Sequence, residues 1–367
     1  MDNNLEKAIR ILTILHENNH EAYIVGGYVR DQLLGKKSND IDISTSATPK
    51  EIMELFPNTE SPNYGSIRII YKNANFDITT FRRDIKYEDN RLPVKIKYIK
   101  SLKKDLLRRD FTINTICMDK DKNIIDVLNA KVDLEKKIIK TVGNPKHRLK
   151  EDSLRILRAI RFATILNFDI EEKTMHYLKE YAYLLKKLSY QRKKQELDKI
   201  FMSTNKEKGI KYLLDLNIYQ YLDLPNLKEI NPCDDLIGIW TQANVDNIYP
   251  FTKSERVEMN KIRELLKLDL TDKYNIYKYG LYTSTVAYKI KNIDISKLSA
   301  LYQELPITSR KEINITGEQI SRILKRPPGS YIKDILLELE KEIITNNLEN
   351  KTEKLTEYIL NNSTKFY

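Results

Sequence analysis

Hydrophobic side chains follow two different patterns along this chain, and the pattern changes just after Pro145. Before that point, segments with helical spacing alternate with short β-branched and aromatic segments that are typical of strands. Residues 5–16 predict a helix, and Pro49 predicts the first turn of another. From Glu151 onward Leu, Ile and Phe recur at helical spacing, so the sequence predicts an α+β protein with an N-terminal α/β domain before a longer, all-helical part. The predicted strands are residues 23–25, 41–44, 67–71 and 76–81.

The composition is typical of a soluble protein with an excess of basic side chains. The 367 residues are enough for two or more domains with separate cores. With 63 basic and 52 acidic side chains the formal charge is +11, which suits a polyanionic partner but leaves RNA, DNA and plain solubility open. Cys117 and Cys233 are too few and too far apart for a disulfide framework. No apolar run approaches the ~20 residues that cross a bilayer, and the polar start is unlike a signal peptide. We therefore expect a cytoplasmic protein with no membrane partner.

The strongest chemical signal is a glycine pair, Gly26 and Gly27, followed by Arg30 and then by Asp40 and Asp42. Residues two apart on a strand point to the same face, so the two carboxylates are predicted side by side. Adjacent carboxylates repel unless a cation lies between them, and divalent metals serve in-line nucleotidyl displacement. Glycines let the backbone approach a phosphate chain, which a helix N-terminus favours. An exposed Asp-X-Asp alone is common, but this combination indicates metal-assisted nucleotide transfer from a triphosphate.

On these residues the chain resembles the class II tRNA nucleotidyltransferase and poly(A) polymerase family, within the polymerase-β-like nucleotidyltransferase superfamily. The resemblance implies that Gly26, Gly27 and Arg30 hold the triphosphate and that Asp40 and Asp42 bind Mg²⁺. Members of the superfamily often carry a third carboxylate on a nearby strand. Asp77 is the candidate for it here, and a solvent-facing strand aspartate is the alternative.

A second motif runs from Arg108 through Arg109 and Asp110 to Asn114. It lies in a basic stretch in which most lysines are expected to form a solvated face. The sequence Arg-Arg-Asp-Phe-Thr-Ile-Asn resembles the second motif of the family, which meets the sugar and phosphates of the nucleotide. Arg109 can bind phosphate through two parallel hydrogen bonds. Asp110 can accept a hydrogen bond from a ribose 2′-hydroxyl.

A third motif places Asp152 and Arg155 three residues apart, which predicts one helix face. Such pairs are common ion pairs, but the resemblance implies that this segment acts as a protein template for the incoming base. Asp152 can only accept, which suits the exocyclic amine of cytosine or adenine, and Arg155 can only donate, which suits their ring nitrogen. Uracil and guanine leave buried groups unpaired. The resemblance implies nucleotide contacts for Arg158 and Arg161 also, and a clamp between head and neck is the alternative for Arg161.

Two weaker motifs are expected to be structural. Residues 126–143 occupy the place of the family's hinge motif, which carries Gly-Gly where this chain has Asn129 and Ala130, so flexibility from those glycines is not expected here. Ser189 to Arg192, with Glu196 nearby, resembles the family's last motif and is interpreted as a brace between a helix and a turn.

The residues also bear on the choice among family members. Enzymes that add only CC are known for lacking a flexible loop between the first two motifs, and residues 83–93 resemble an intact loop. Residues 305–329 resemble the tail of Bacillus-type CCA-adding enzymes. Full CCA addition is therefore favoured over CC addition, while A-adding enzymes and poly(A) polymerases remain open because the template pair is similar in all of them.

The resemblance implies a polymerase-β-like α/β head followed by an all-helical neck, body and tail. We expect a nucleotidyltransferase that adds CCA to the 3′ end of tRNA from CTP and ATP with Mg²⁺, releasing pyrophosphate. A non-catalytic RNA-binding module and a metal-dependent phosphohydrolase are the rival classes, and a homodimer is left open. The predicted divisions are a head at 1–143, a neck at 144–205, a body at 206–305 and a tail at 306–367.

Overall fold

The computed structural model describes residues 3–57, 59, 65–87 and 93–366. By its contacts the chain divides into two compact units, Met1–Leu227 and Lys228–Tyr367. The described strands all belong to the first unit. The predicted division into head, neck, body and tail is finer than these two units and stays a prediction.

The first unit begins with mixed helices and strands and ends with helices. Short 3₁₀ segments also occur, at Thr112–Asn114, Ala182–Lys187, Ile218–Tyr221 and, across the unit boundary, Pro225–Glu229. The elements are α1 Asn3–Glu17, β1 Ala22–Val25, α2 Gly27–Leu33, β2 Asp42–Thr45, α3 Pro49–Leu55, β3 Ser66–Tyr71, β4 Ala74–Thr80, β5 Arg82–Tyr87, β6 Pro93–Tyr98, α4 Leu102–Leu106, β7 Cys117–Met118, β8 Ile124–Ile125, α5 Ala130–Glu135, β9 Ile138–Ile139, α6 Pro145–Glu151, α7 Leu154–Leu166, β10 Asp169–Ile170, α8 Glu172–Glu180, α9 Tyr190–Phe201 and α10 Lys206–Asp215.

The predicted elements of the N-terminal part are confirmed. The first helix is α1, the predicted strands are β1 to β4, and α3 begins at Pro49. Thr48 caps α3 by accepting from the backbone N–H of Glu51, while the Glu51 carboxylate accepts from the backbone N–H of Thr48. This reciprocal capping box explains why the chain starts a helix at that point.

A six-stranded sheet in the order β3-β4-β2-β1-β7-β8 organises this part of the unit. β1 and β2 are antiparallel, and β2 and β4 are parallel. Buried isoleucines at Ile24, Ile43 and Ile78 fill the core along the three central strands. The register pairs Val25 at the end of β1 with Asp42 at the start of β2. The glycine pair and the carboxylates therefore meet at one end of the central strands.

Two expectations about strands are wrong. Asp40 and Asp42 do not share a strand, because β2 begins at Asp42 and Asp40 precedes it. The helical part also contains a strand, β10, which pairs in parallel with β9, and two residues are too short to give a period in the sequence. The antiparallel hairpin of β5 and β6 was also missed, and residues 88–92 of the predicted loop lie outside the described residues.

Helices α7, α9 and α10 pack together in the second half of the first unit. Buried Ile156, Leu157 and Ile160 give α7 an apolar face. Gly209 of α10 comes so close to its neighbours that a Cβ there would lie 2.5 Å from the Ile200 methyl carbon Cγ2 of α9 and 2.5 Å from the Thr164 hydroxyl of α7. The glycine is therefore required by packing.

The regular secondary structure among the described residues of the second unit is all helical, and this unit has its own core. Helix α13 (Lys273–Ile290) is broken at Gly280, whose φ of 83° and ψ of 165° lie outside the helical region. Among the described helices, none is long and apolar enough to cross a membrane. The helices are α11 Leu236–Ala243, α12 Lys253–Leu265, α13 Lys273–Ile290, α14 Ile295–Gln303, α15 Gly317–Leu324, α16 Tyr331–Ile344 and α17 Thr352–Asn361, with 3₁₀ segments at Arg310–Glu312 and Ser363–Phe366.

Replacing Gly209 with alanine tests this packing. Alanine favours a helix interior by about 1 kcal/mol over glycine, but overpacking costs about 1–3 kcal/mol. Because the colliding atoms belong to the β-branched side chains Ile200 and Thr164, we expect Gly209→Ala to lower the free energy of unfolding by about 1–2 kcal/mol. Urea unfolding measures it. Lys211→Ala, at an exposed position of the same helix, is the control and should change stability by less than about 0.5 kcal/mol. A Gly209→Ala protein as stable as the wild type would contradict the packing argument.

Candidate active site

The first unit contains an open cleft of about 650 Å³. The lining includes Arg108 and Asn114 of the second motif, and it includes polar and aromatic side chains that the sequence did not point to, among them Ser44, Arg82, Asp84, Phe162 and Lys199. Of the predicted site residues, the lining includes Gly26, Gly27, Arg30, Asp40, Asp42, Arg109, Asp110, Asp152, Arg155, Arg158 and Arg161. The three motifs, which are spread over residues 26–161, thus converge on one cavity.

Gly26 forms the turn between β1 and α2. Its φ of 78° and ψ of −130° belong to a region that only glycine adopts without strain. A Cβ at this position would lie 3.5 Å from Arg109 Nη1 and 4.0 Å from an Asp42 carboxylate oxygen. The bare backbone of Gly26 therefore lies close to both a guanidinium group and a carboxylate of the cleft.

Asp40 and Asp42 bring two negative charges to one wall of the cleft. Desolvation within the cleft and the charge of Asp40 raise the pKa of Asp42 to about 6, against the opposing charge of Arg109. The Asp42 side chain is nevertheless accessible to solvent. No cluster of three or more metal-ligating side chains occurs among the described residues. Two accessible carboxylates on one wall, with the pKa of Asp42 raised by the charge of Asp40, fit a divalent cation whose other ligands come from phosphate and water.

Asp77 lies next to Asp42 in the register of β4 and β2 but does not belong to the lining of the cleft. Its two oxygens accept from Nε and Nη2 of Arg68 on β3, both at 2.9 Å. This two-bond ion pair neutralises the carboxylate locally. The role of Asp77 as a third active-site carboxylate therefore stays a prediction.

Arg109 is held by a fully buried carboxylate that the sequence analysis did not single out. Asp105 accepts from the backbone N–H of Arg82 at 3.1 Å and from Arg108 Nε at 2.8 Å, and its other oxygen lies 3.5 Å from Arg109 Nη2. Arg109 Nη2 also donates to the Ser44 hydroxyl at 2.9 Å. The available sequence signal was an aspartate three and four residues before two arginines; Asp105 lies in α4, and both arginines follow its end.

Asp110 connects the second motif to α7. Arg158 donates to one carboxylate oxygen from Nε at 2.8 Å and from Nη2. The other oxygen accepts from the backbone N–H of Phe111 and from Asn114 Nδ2. Burial opposes ionisation, but the charge of Arg158 and these hydrogen bonds hold the pKa of Asp110 well below its usual range. Asn114 in turn accepts from Arg30 Nη1 at 2.7 Å, so Arg30 belongs to the same network.

The expectation that Asp152 and Arg155 share a helix face is wrong. Helix α6 ends at Glu151 and α7 begins at Leu154, so Asp152 lies between them with φ −142° and ψ 103°. Its side chain accepts from the backbone N–H of Leu154 at 3.0 Å, the local bond by which aspartate favours a helix start over a helix interior. Burial raises the pKa of Asp152, with Arg155 opposing. Both side chains still line the cleft.

Arg155 is anchored by acceptors other than Asp152. Its Nη1 donates to the Arg148 carbonyl at 2.8 Å and to the Glu151 carboxylate at 3.2 Å, and Nη2 donates to the Arg108 carbonyl at 3.1 Å. The acceptors Arg148 and Glu151 belong to α6, and Arg108 belongs to the second motif. The guanidinium is therefore fixed at the junction of the second and third motifs.

Arg161 forms a buried ion pair with Glu196 of α9, with Nη1 at 3.1 and 3.0 Å from the two carboxylate oxygens. This pair joins α7 to α9, two helices of the predicted neck, and the brace between a helix and a turn stays a prediction. It does not itself connect the neck to the head.

Asn129, in the hinge motif, adopts a left-handed conformation with φ 55°, which glycine adopts most easily and asparagine tolerates.

Comparison with known proteins identifies relatives for the whole chain. The chain is 34% identical to the curated CCA-adding enzyme of Staphylococcus haemolyticus over 96% of both chains. It is also 34% identical to that of Ligilactobacillus salivarius, over 96% of this chain and 95% of the other. The fold is similar to a Bacillus stearothermophilus CCA-adding enzyme in complex with CTP, with a TM-score of 0.87 and 24% identity over 100% and 99% of the two chains. Family models match a poly A polymerase head domain at 22–140, a probable RNA and SrmB-binding site of polymerase A at 167–230, and a putative tRNA nucleotidyltransferase domain 2 at 252–359.

The pair of Asp110 and Arg158 yields a prediction about stability and pH. Removing one partner of a buried pair leaves the other charge uncompensated, so we expect Asp110→Asn to lower the free energy of unfolding at pH 7 by about 3 kcal/mol. The folded pKa of Asp110 lies below its unfolded value of about 3.9, so this stability is present above about pH 4 and is lost as the pH falls further. Urea unfolding of the variant and the wild type at pH 7 and at pH 3 measures this difference in stability.

The matched control is Asp169→Asn, which breaks an exposed ion pair with Lys208 and should cost less than about 1 kcal/mol at either pH. A deficit of Asp110→Asn that stayed constant down to pH 3 would contradict the ionised pair.

Proposed function

Because the chain belongs to the CCA-adding enzyme family, we propose that its cleft transfers C, C and A from CTP and ATP to the 3′ end of tRNA, with release of pyrophosphate each time. The convergence of Gly26, the carboxylates Asp40 and Asp42, and the pair Asp152 and Arg155 on one cavity carries this assignment. The chain is a nucleotidyltransferase that needs no nucleic-acid template.

Divalent metal dependence follows from the family, and we assign Mg²⁺ to Asp40 and Asp42. Two carboxylates with phosphate oxygens are the usual protein environment of Mg²⁺. Because the pKa of Asp42 is raised to about 6, a cation bound beside the two carboxylates would lower that pKa and complete the ionisation of Asp42 at neutral pH. When bound there, Mg²⁺ would neutralise charge at the reacting phosphate and lower the pKa of the attacking hydroxyl.

The triphosphate is assigned to the wall built by Gly26, Gly27, Arg30 and Arg109. Gly26 has a positive φ and no Cβ, so the space beside Arg109 stays open to a phosphate. Asp105 and Ser44 hold the Arg109 guanidinium in place. A guanidinium fixed before the substrate arrives loses less entropy on binding phosphate. The terminal 3′-oxygen of tRNA then attacks the α-phosphate, the bond to the β-phosphate breaks, and pyrophosphate leaves.

Asp110 is assigned a positioning role. A carboxylate has about four acceptor sites, and four hydrogen bonds already reach Asp110 from Phe111, Asn114 and Arg158. A contact with the ribose 2′-hydroxyl requires one of these bonds to be given up or shared. The main role of Asp110 is therefore to hold the Arg158 guanidinium at the cleft.

The base is assigned to Asp152 and Arg155. Cytosine and adenine both present an amine beside a ring nitrogen acceptor, which matches a carboxylate beside a guanidinium. Glu151 and the Arg148 carbonyl keep the Arg155 guanidinium in place. Uracil and guanine present a carbonyl to Asp152 and are rejected because acceptor then faces acceptor.

tRNA is the assigned polyanionic partner, which agrees with the formal charge of +11. We assign the protein to the cytoplasm, where buried, free Cys117 and Cys233 remain reduced. CC addition, A addition and poly(A) synthesis are the alternatives within the wider family, and incorporation on a defined tRNA separates them.

The assay supplies tRNA that ends at the discriminator base with Mg²⁺ and CTP, ATP or both. We expect two additions from CTP and a third only when ATP is also present. Additions that stop after CC indicate a CC-adding enzyme, and long A tracts from ATP alone indicate a poly(A) polymerase.

Asp40→Ala is the control variant. Because it removes a metal ligand, we expect incorporation to fall by at least about 10³-fold while tRNA affinity changes less than about twofold. Equal loss of both would place the reaction elsewhere or indicate a collapsed fold.

Asp152→Ala tests the base assignment. An unpaired buried group costs about 1–3 kcal/mol, so discrimination against UTP and GTP should weaken by about 10- to 100-fold. Incorporation of CTP should fall less than this ratio changes. The measurement is kcat/KM for each of the four nucleotides on one tRNA. Discrimination equal to that of the wild type would remove Asp152 from the base-reading role.

A further inference from the structure

The aromatic ring of Phe162 on α7 is surrounded by guanidinium groups. The guanidinium carbon of Arg161 lies 4.3 Å from the ring centre, and those of Arg30 and Arg158 both lie 5.4 Å from it. Phe162 is half-buried and lines the cleft, as do all three arginines. The ring is therefore a shared contact of cations from two distant segments, α2 and α7.

Each arginine has its own acidic partner, so the ring is not needed to neutralise charge. The partners are Asp31 for Arg30, Asp110 for Arg158 and Glu196 for Arg161. These carboxylates come from three different parts of the chain. Each ion pair holds one guanidinium to its own carboxylate, through Nε and Nη2 for Arg30 and Arg158 and through Nη1 for Arg161.

The ring adds to these separate ion pairs a contact that all three guanidiniums share. The negative face of an aromatic ring attracts cations within about 6 Å. The orientation of Phe162 is itself fixed by Phe111, whose ring meets it edge to face at 5.7 Å and 76°. Phe111 belongs to the second motif, directly after Asp110. The ring thus connects the glycine-pair motif, the second motif and α7 through contacts that a leucine could not make.

We propose that Phe162 is a positioning residue that holds Arg30, Arg158 and Arg161 in the arrangement that receives the triphosphate of the incoming nucleotide. This inference rests on the proposed function of the cleft. The base is assigned to Asp152 and Arg155, and their hydrogen-bond partners are residues other than Phe162.

A loss of positioning has a kinetic signature that differs from a loss of base reading. Arginines that are no longer pre-arranged bind phosphate more weakly in the ground state and the transition state alike, which raises KM and leaves kcat nearly unchanged. Since the phosphates of CTP and ATP are identical, both nucleotides are affected equally. The ratio of C to U incorporation stays that of the wild type.

The experiment compares Phe162→Leu, Phe162→Tyr and the wild type on tRNA substrates that accept C or A. Because leucine has no aromatic face to attract the guanidiniums, we expect Phe162→Leu to raise KM for both CTP and ATP by about tenfold, with kcat within about threefold. Phe162→Tyr keeps the ring and should restore KM to within about twofold of the wild type. Calorimetric titration of CTP into each protein should reproduce the same order.

Phe201→Leu is the matched control, because Phe201 is a buried aromatic of the same unit that does not line the cleft. It should lose stability in urea unfolding while KM stays that of the wild type. The inference is overturned if Phe162→Leu keeps the wild-type KM, if Phe162→Tyr is as impaired as Phe162→Leu, or if base choice shifts. A wild-type protein that incorporates no nucleotide would instead refute the proposed function, so the two failures are distinguishable.

Discussion

The antiparallel pairing of β1 with β2 is the constraint on which the cleft depends. Because Val25 lies opposite Asp42, the chain that leaves β1 must turn at Gly26 immediately beside the carboxylate at the start of β2. A side chain at Gly26 would strain the backbone at φ 78°. This register therefore places the turn beside Asp42, and Ser44 of β2 accepts a hydrogen bond from Arg109. A shift of one residue would move Asp42 to the opposite face of the sheet.

Around that register the cleft is organised by matched charges. Asp105, Asp110, Glu151 and Glu196 are buried or partly buried, and each accepts from an arginine of the lining or its support. Such pairs contribute little net stability because desolvation offsets attraction. Their effect is geometric: long side chains that would otherwise sample many rotamers are held before an anion arrives. Asp40 and Asp42 differ, since the charge of Asp40 raises the pKa of Asp42 and the charge of Arg109 opposes that rise only in part.

The sequence predicted the residues of the cleft better than their local structure. Gly26, Asp42 and Arg109 were identifiable because their chemistry is rare at that spacing, and the Pro49 helix because its cap is local. The break at Asp152 was missed, although aspartate competes with helix interiors through its own backbone bond to Leu154. Asp105 was missed because a buried carboxylate and an exposed one look alike in sequence. The pairing of β9 with β10 is two residues long and is decided by tertiary contacts alone.

The break at Asp152 also bears on how one site can accept two bases. Cytosine and adenine share the pattern of an amine beside a ring acceptor, so the pair of Asp152 and Arg155 accounts for accepting both and rejecting uracil and guanine. The same pair cannot encode their order, because neither residue changes between additions. Arg155 is anchored by Glu151 and two carbonyls, whereas Asp152 lies between two helices and makes one local bond. The order of addition must therefore come from outside the pair, through the space that the growing RNA end leaves or through a movement of the segment that carries Asp152.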